Sequence, residues 1–282
     1  MTFKDAVQTT YTELFPALRD ELTALTNWSL TTEQAADATA YANGDYFVVE
    51  TPNNEFLRIA CNRNDGAYEE RSYLEVGFQW GKNWDSTNNN WGTNSEYKFT
   101  KGNASFPIME DSDTYERTTD GNTLQDPVTY WLYKADAEGF VLVAERTEGD
   151  GNDQSGAVGY ATLNKLWDYT LASSYESRGA VLLQGDRTPN ECNILGFGGE
   201  SSETTTAYGR ANGDANFSNF PLIQQNVVAT DQYSGTIIGA HDLWMEDHGN
   251  SAHGDTIQDS GGTDIFKVLR PTNHMERIGI KL

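Results

Sequence analysis

The residues best suited to chemistry lie between positions 81 and 92, where two tryptophans are surrounded by amide and carboxylate side chains. Trp84 and Trp91 enclose a segment that contains Asn88 and Asn90. Indole rings stack on the apolar faces of sugars, and side-chain amides bond to their hydroxyls. The four residues are therefore a candidate saccharide-binding site. Two other interpretations stay open. In the first, the tryptophans fold back onto a sheet. In the second, they contact a neighbouring subunit, where Trp is a favoured anchor.

A second polar segment offers oxygen ligands to a hard cation. Asp150, Asn152 and Asp153 stand close together in a run without apolar side chains. The run is similar to the start of a calcium loop, but the glycine and the bidentate glutamate are not at the required offsets. These residues are weak candidates for binding Mg²⁺ or Ca²⁺, and the sequence predicts no cofactor.

Histidine and cysteine give no clear metal site. His241, His248 and His253 are close in sequence, but their spacing fits neither one helical face nor the H-E-x-x-H pattern. They are predicted to belong to an exposed polar loop. Cys61 and Cys192 adjoin apolar runs and are predicted to be small buried hydrophobic residues. Whether they pair in a disulfide stays open.

No pattern assigns a catalytic residue. With 42 acidic residues, a glycosidase-type carboxylate pair can be neither identified nor ruled out. The nucleophile pattern G-x-S-x-G does not occur. The glycines of residues 196–199 lack the spacing of a phosphate-binding loop. The sequence therefore predicts a protein that is not an enzyme.

The charge of the chain restricts its partners. The 282 residues include 42 acidic and 19 basic side chains, which gives a formal net charge of -23. Binding to nucleic acid or to an anionic membrane requires clustered Lys and Arg, and the sequence has no such cluster. The acidic residues are spread along the chain rather than collected in a tail. This pattern favours adaptation to very high salt, where self-repulsion is screened, over an ordinary acidic surface.

Most of the chain has the pattern of short β-strands. Residues 130–133 and 140–144 are apolar runs separated by a turn with glycine, which predicts a hairpin. A second hairpin is predicted where residues 46–49 and 56–59 flank Pro52-Asn53-Asn54. Further strands are predicted at 72–80, 157–166, 179–183, 193–199, 235–240, 265–269 and 277–282, with polar loops at 98–128, 201–219 and 248–262.

The N-terminal region has a different pattern. Val7, Tyr11, Leu14 and Leu18 begin an apolar stripe at helical spacing, so a helix is predicted over residues 2–26. Pro16 predicts either a kink or two short helices that meet near the preceding residue.

The predicted fold is mainly β, with antiparallel sheets in a sandwich-like or barrel-like arrangement and a short N-terminal helical segment. The helical segment is predicted over residues 1–30 and the β-rich domain over 31–282. The sheet is expected to begin at Asp45, and two subdomains could divide near residues 170–180. A chain of this length can bury a sizeable core.

Several of these elements together resemble structural proteins of tailed viruses. They are the short N-terminal helix ending near Trp28, the strand at residues 44–49, the hairpin at 130–143, and the polar loop followed by the Gly159-Tyr160 strand. With the acidity, the chain is similar to a tail-associated protein of a virus infecting haloarchaea. The resemblance implies a position in the tail, often at its tip or baseplate, and assembly into symmetric rings or trimers. It implies no catalytic residue.

These observations lead to two main functional hypotheses, and a secreted enzyme that acts on polysaccharides is a third, which the missing secretory signal pattern disfavours. The first is a virion structural protein that forms a homo-oligomer and contacts other virion proteins. The second is a carbohydrate-binding or host-receptor-binding β module on the virion surface, on the tail or as a capsid decoration. The start of the chain lacks a secretory signal pattern, and no run approaches the length of a membrane span. We therefore expect synthesis in the host cytoplasm and incorporation into a virion.

Overall fold

The computed structural model describes fifteen stretches of the chain, with one α-helix and nineteen β-strands among them. These are residues 2–64, 73–81, 83–92, 102–109, 127–134, 139–146, 155–162, 179–184, 193–195, 215–217, 220–229, 236–246, 256–258, 265–269 and 277–281. The helix is α1 (Tyr11–Thr23). The strands are β1 (Thr2–Thr10), β2 (Ser29–Gln34), β3 (Tyr46–Glu50), β4 (Phe56–Asn64), β5 (Tyr73–Gly81), β6 (Trp84–Asp85), β7 (Asn90–Trp91), β8 (Gly102–Met109), β9 (Pro127–Lys134), β10 (Gly139–Arg146), β11 (Ser155–Thr162), β12 (Gly179–Gln184), β13 (Asn193–Leu195), β14 (Ala215–Phe217), β15 (Phe220–Ala229), β16 (Thr236–Glu246), β17 (Thr256–Gln258), β18 (Ile265–Leu269) and β19 (Arg277–Lys281).

The strands form four antiparallel sheets. Sheet A has the order β1-β9-β10-β11-β12-β13, and sheet B has the order β2-β3-β4-β5-β8. Sheet C is the small hairpin β6-β7, and sheet D has the order β14-β15-β16-β19-β18-β17. Every pairing among the described strands is antiparallel. The prediction of a mainly β chain with antiparallel sheets and a short helix near the N-terminus is therefore confirmed.

One apolar core joins helix α1 with sheets A and B. Successive residues of a strand point to opposite sides, so alternate residues of β3 to β5 and β9 to β11 enter this core. Trp28, which follows the helix, packs edge-on against Phe140 at 6.1 Å and Tyr160 at 5.7 Å between ring centroids. The core is formed by Tyr11, Leu14, Phe15, Leu18, Leu22, Leu25, Trp28, Tyr41, Phe47, Val49, Leu57, Ile59, Cys61, Val76, Phe78, Trp80, Val128, Tyr130, Leu132, Phe140, Leu142, Ala144 and Tyr160.

The prediction of a helix over residues 2–26 is wrong for residues 2–10. Residues Thr2–Thr10 form β1, which pairs with β9, and the helix begins only at Tyr11. Thr10 is the N-cap, because its side chain accepts from the Glu13 backbone N–H and the Glu13 carboxylate accepts from the Thr10 N–H. This capping box begins the helix at that point. Pairing with β9 is a contact distant in sequence, and apolar spacing alone does not reveal it.

Pro16 lies inside the helix without ending it. The proline has no N–H to donate to the carbonyl of Thr12, four residues earlier. That carbonyl accepts instead from the backbone N–H of Tyr41 at 3.0 Å. The bond offsets the lost helical hydrogen bond, so the helix runs on to Thr23 and the predicted division into two helices is wrong.

A carboxylate network attaches the helix to its surroundings. Glu21 forms ion pairs with Lys4 of β1 and Lys134 of β9. Burial alone would raise the pKa of Glu21, but hydrogen bonds from the two lysines lower it overall. Glu33 of β2 pairs with Arg19 and accepts a hydrogen bond from the Tyr41 hydroxyl at 2.7 Å.

Both predicted hairpins are confirmed, as β3-β4 and β9-β10. The sheet does not begin at Asp45, because β2 already pairs with β3. The predicted polar loops at 98–128, 201–219 and 248–262 contain β8, β14 and β17 respectively, and the sequence does not predict β15. These strands are set by partners far along the chain, and β8, for example, pairs with β5. The predicted division near residues 170–180 falls largely outside the described residues and stays a prediction.

Candidate functional site

The two tryptophans of the candidate site belong to a small hairpin. Trp84 pairs directly with Trp91, and Asp85 pairs with Asn90, so strands β6 and β7 form a ribbon of two residues each. We call residues 83–92 the tryptophan hairpin. The sequence indicates only a loop for this segment, and the local pairing brings its two indoles together.

Asp85 organises the turn of the tryptophan hairpin. Its carboxylate accepts from the backbone N–H groups of Thr87 at 2.9 Å and Asn88 at 3.1 Å, and from Asn88 Nδ2 at 2.6 Å. These bonds, chiefly those from Asn88, lower the pKa of Asp85. Asn89 has a φ of 51°, a left-handed conformation that Asn tolerates better than most residues. The turn therefore holds Asn88 and Asn90 on the exposed side of the hairpin.

The two ends of the hairpin are joined at Asn83 and Gly92. The Gly92 N–H donates to the Asn83 carbonyl at 2.6 Å, and a Cβ at Gly92 would lie 3.3 Å from that oxygen. Glycine is therefore well suited to this close approach. The Asn83 Nδ2 atom is buried and makes no hydrogen bond within the described part of the chain.

The hairpin lies against the face of sheet B that is opposite the core. Thr32, Val48, Arg58 and Gln79 are paired in succession across β2, β3, β4 and β5, and we call them the outer row. Trp84 Nε1 donates to Thr32 Oγ1 at 2.9 Å. Trp91 Nε1 donates to Gln79 Oε1 at 3.2 Å. The two indoles thus reach both ends of the outer row and fold back onto the sheet, as one of the predicted alternatives has it.

The rings of the tryptophan hairpin meet edge to face. The centroids of Trp84 and Trp91 are 5.2 Å apart with an interplanar angle of 83°. Tyr46 meets Trp84 at 6.2 Å and 81°. Such T-shaped contacts are favourable, but perpendicular indoles offer two separate faces instead of one flat platform. Both tryptophans are half-buried, and saccharide binding by Trp84, Asn88, Asn90 and Trp91 stays a prediction.

Arg58, the outer-row residue of β4, contacts one of these aromatic rings. Its Cζ atom is 3.9 Å from the centroid of the Tyr46 ring, which is a cation–π contact. Its Nη1 donates to Gln79 Oε1 at 3.3 Å. Burial lowers the pKa of Arg58, and Tyr46 partly offsets this effect. Sequence reasoning misses Arg58, Tyr46 and Gln79, because their alternation in strands gives no sign that the tryptophans cover them.

A second polar cluster lies between sheets A and B. The Tyr160 hydroxyl donates to Glu55 Oε2 at 2.7 Å and accepts from Asn53 Nδ2 at 3.0 Å. Thr51 Oγ1 lies 3.3 Å from the same hydroxyl. Tyr160 and Glu55 are each 1% exposed, and burial raises the pKa of Tyr160 well above its ordinary value. The cluster attaches the β3-β4 turn to β11, and its partners are too distant in sequence for a motif to reveal them.

The remaining predicted sites lie mostly outside the described residues. Asp150, Asn152 and Asp153 fall there, so the Mg²⁺ or Ca²⁺ site stays a prediction. His241 belongs to β16 instead of a loop, while His248 and His253 are outside the described ranges. Within those ranges no group of His, Cys, Asp and Glu could hold a metal.

The predicted cysteine environment is confirmed for one of the two residues. Cys61 is a free thiol, fully buried in β4. Burial raises its pKa to about 12. Cys192 lies outside the described residues, so pairing of the two is not tested.

The described helix and the comparisons with known proteins add no indication of function. Among the described residues, no helix has both the length and the apolar character needed to cross a bilayer. The sequence matches no protein-family model, and no curated protein is significantly similar to it.

Proposed function

We propose that this chain is a structural subunit of a virion, placed in the tail or at its tip and adapted to concentrated salt. In this proposal copies of the chain form a symmetric homo-oligomer that contacts other virion proteins. The observation that carries it is one shared core whose two sheets, among the described strands, end at edges without a further paired strand. Sheets A and B share one core, and among the described strands β1 and β2 lie at sheet edges. Open edges accept strands from neighbouring subunits.

Strand β2 is the edge best suited to such a contact. Ser29, Leu30 and Gln34 are exposed there. Leu30 is 43% exposed and is the exposed large apolar side chain within the described residues. The register of β2 against β3 shifts between Leu30 and Thr32, and such irregularities limit unspecific pairing along an edge. A neighbouring subunit would therefore pair over a short, defined stretch.

The carboxylates of the described body support a structural role. Glu21 joins two lysines from neighbouring strands to the helix. Glu33 holds Arg19 and Tyr41, and Glu55 holds Tyr160. Each of these carboxylates links side chains from different strands, turns or the helix, which is expected of a structural subunit.

Net charge connects the proposal to salt. At -23, copies of the chain repel one another strongly in dilute buffer. The Debye length falls from about 10 Å at 0.1 M to about 3 Å at 1 M salt. Contacts between copies should therefore form at molar salt and weaken on dilution.

The test is the oligomeric state measured by light scattering after size exclusion, in about 2–3 M KCl and in about 0.1 M KCl. We expect a discrete oligomer in high salt, and Leu30→Asp should reduce it. Ala36→Asp is the matched control, because it adds the same charge at an exposed position beyond β2. A chain that is monomeric at both salt concentrations, and folded in dilute buffer, would contradict the proposal.

A second candidate function is carbohydrate or host-receptor binding at the virion surface. It is favoured by one observation, the half-buried indoles that lie next to the exposed amides of Asn88 and Asn90. Glycan binding by the wild type should be lost in the double variant Trp84→Ala and Trp91→Ala. Because the indoles also hold the hairpin, Asn90→Ala provides a milder variant that should weaken binding. Unchanged binding in both variants would remove this candidate.

A further inference from the structure

Arg58 differs from the other cationic side chains that the structure describes. Lys4, Lys134 and Arg19 each form ion pairs with carboxylates. The partners of Arg58 within the described residues are the ring of Tyr46 and the amide oxygen of Gln79, both of which are neutral. In a chain with 42 acidic and 19 basic residues, a half-buried guanidinium whose described neighbours are neutral is suited to bind an anion from outside.

The surroundings of Arg58 hold its guanidinium in place. Tyr46 stacks against one face at 3.9 Å, and Gln79 accepts from Nη1 at 3.3 Å. These contacts use only part of the donor set of arginine, whose fork matches the two oxygens of a carboxylate. A guanidinium that is already positioned loses less entropy on binding. The geometry is therefore suited to a carboxylate ligand.

The same contacts connect Arg58 to the tryptophan hairpin. Gln79 accepts from Trp91 Nε1 as well as from Arg58. Tyr46 contacts both Arg58 and Trp84. A positioned cation thus lies beside aromatic rings that are partly open to solvent. A sugar ring with an attached carboxylate has the complementary pair of features, an apolar face for an indole and an anion for the fork.

We infer that Arg58 and the tryptophan hairpin bind a saccharide that contains uronic acid. The inference rests on the second candidate function, saccharide binding at the hairpin, and adds the ligand class. Arg58 takes the carboxylate, Trp91 stacks on the sugar ring, and the exposed amide of Asn90 reaches the hydroxyls. A single cation among aromatic rings fits one carboxylate per sugar better than the dense charge of a nucleic acid, which requires clustered cations.

The inference can be tested first with the wild-type protein alone. Isothermal titration calorimetry is carried out with an α-1,4-linked galacturonic acid trisaccharide, with its methyl ester and with neutral galactotriose. The free acid should bind about 10- to 100-fold more tightly than the other two, because a charge-assisted hydrogen bond is lost with the carboxylate. This comparison removes the charge from the ligand, so it does not depend on how any variant folds.

Variants then assign the preference to Arg58. Arg58→Gln should bind all three ligands with similar affinity, and Arg58→Lys should recover only part of the preference because lysine lacks the planar fork. Lys4→Gln is the matched control, since it removes the same charge from sheet A, where the side chain is 39% exposed. It should keep the preference of the wild type.

The outcomes separate the inference from the function on which it rests. If the three ligands bind the wild type equally and the tryptophan substitutions abolish binding, saccharide binding stands and the role of Arg58 is wrong. If Arg58→Gln keeps the preference for the free acid, the role of Arg58 is also wrong. If none of these ligands binds, the inference fails, while the second candidate function is still judged by glycan binding of the tryptophan variants and the structural proposal by oligomeric state.

Discussion

Removal of the Tyr160 hydroxyl tests how much the polar cluster between sheets A and B contributes to stability. Tyr160→Phe deletes the donor to Glu55 Oε2, which is 2.7 Å away, and the acceptor for Asn53 Nδ2, which is 3.0 Å away. The ring itself stays in the core beside Trp28. The substitution therefore changes hydrogen bonding with little change in packing.

The size of the effect follows from burial. A hydrogen bond to a charged group contributes about 1.5–3 kcal/mol and a neutral one about 1 kcal/mol. Tyr160 and Glu55 are each 1% exposed, so water does not readily replace the lost partner. We expect the free energy of unfolding to fall by about 2–4 kcal/mol. For a chain of this size the melting temperature should fall by about 3–7 °C.

The assay is urea and thermal unfolding at constant salt, followed by near-ultraviolet circular dichroism. Tyr130→Phe is the matched control. Tyr130 is 3% exposed and lies in β9 of sheet A, where its hydroxyl interacts electrostatically with Lys4 and Glu21 and takes no part in the polar cluster between sheets A and B. It should lose less than about 1 kcal/mol. Equal losses in the two variants would refute a special role for the Tyr160 hydroxyl.

A double-mutant cycle isolates the contact itself. Glu55→Gln is combined with Tyr160→Phe, and the coupling energy should be about 1 kcal/mol or more if the two groups interact as the geometry indicates. Additive losses would mean that each residue acts through other neighbours.

Three other positions give shorter tests of the fold. Gly159→Ala places a Cβ 2.7 Å from the Phe140 carbonyl oxygen, so the variant should lose about 1–3 kcal/mol in urea unfolding, and an unchanged midpoint would contradict the close approach of β10 and β11. Thr10→Ala removes the helix cap and should lose about 1 kcal/mol in the same measurement; no loss would mean that the capping box contributes little. Burial raises the pKa of Cys61 from 9.0 to about 12, so its contribution to stability is complete below pH 9 and is lost as the pH rises to about 12. Cys61→Ala should therefore flatten the alkaline fall in stability by up to about 1.4 kcal/mol per pH unit, and identical slopes would refute burial as the cause.

The parts of the fold that sequence predicts are those that local residues determine. The β3-β4 hairpin is indicated by Pro52-Asn53-Asn54 between two apolar runs, and the β9-β10 hairpin by its aromatic and aliphatic strands. The pattern wrongly predicts helix for strand β1 because Val7 continues the apolar spacing of the true helix. Pairing with β9 joins Val7 to Tyr130, and no pattern within a few residues contains that information.

The candidate site shows the same limit. Trp84, Asn88, Asn90 and Trp91 can be selected from their types, but their partners cannot. The hydrogen bond from Trp84 to Thr32 spans fifty-two positions in the chain. In the sequence, Arg58 is only one polar residue within an apolar run. Its importance depends on register, which pairs it with Gln79, the residue whose amide oxygen also accepts from Trp91 Nε1.

The described contacts also indicate where salt should act. The Glu55 carboxylate is buried against Tyr160, and buried interactions are screened much less than exposed ones. Self-repulsion among the exposed carboxylates, by contrast, reaches across the surface and depends strongly on ionic strength. If the chain forms the proposed oligomer, dilution should therefore separate its subunits at a higher salt concentration than the one at which the polar cluster between sheets A and B is disturbed. A salt titration that follows Tyr160→Phe and wild type together would show a constant difference in unfolding free energy if this division of roles is correct.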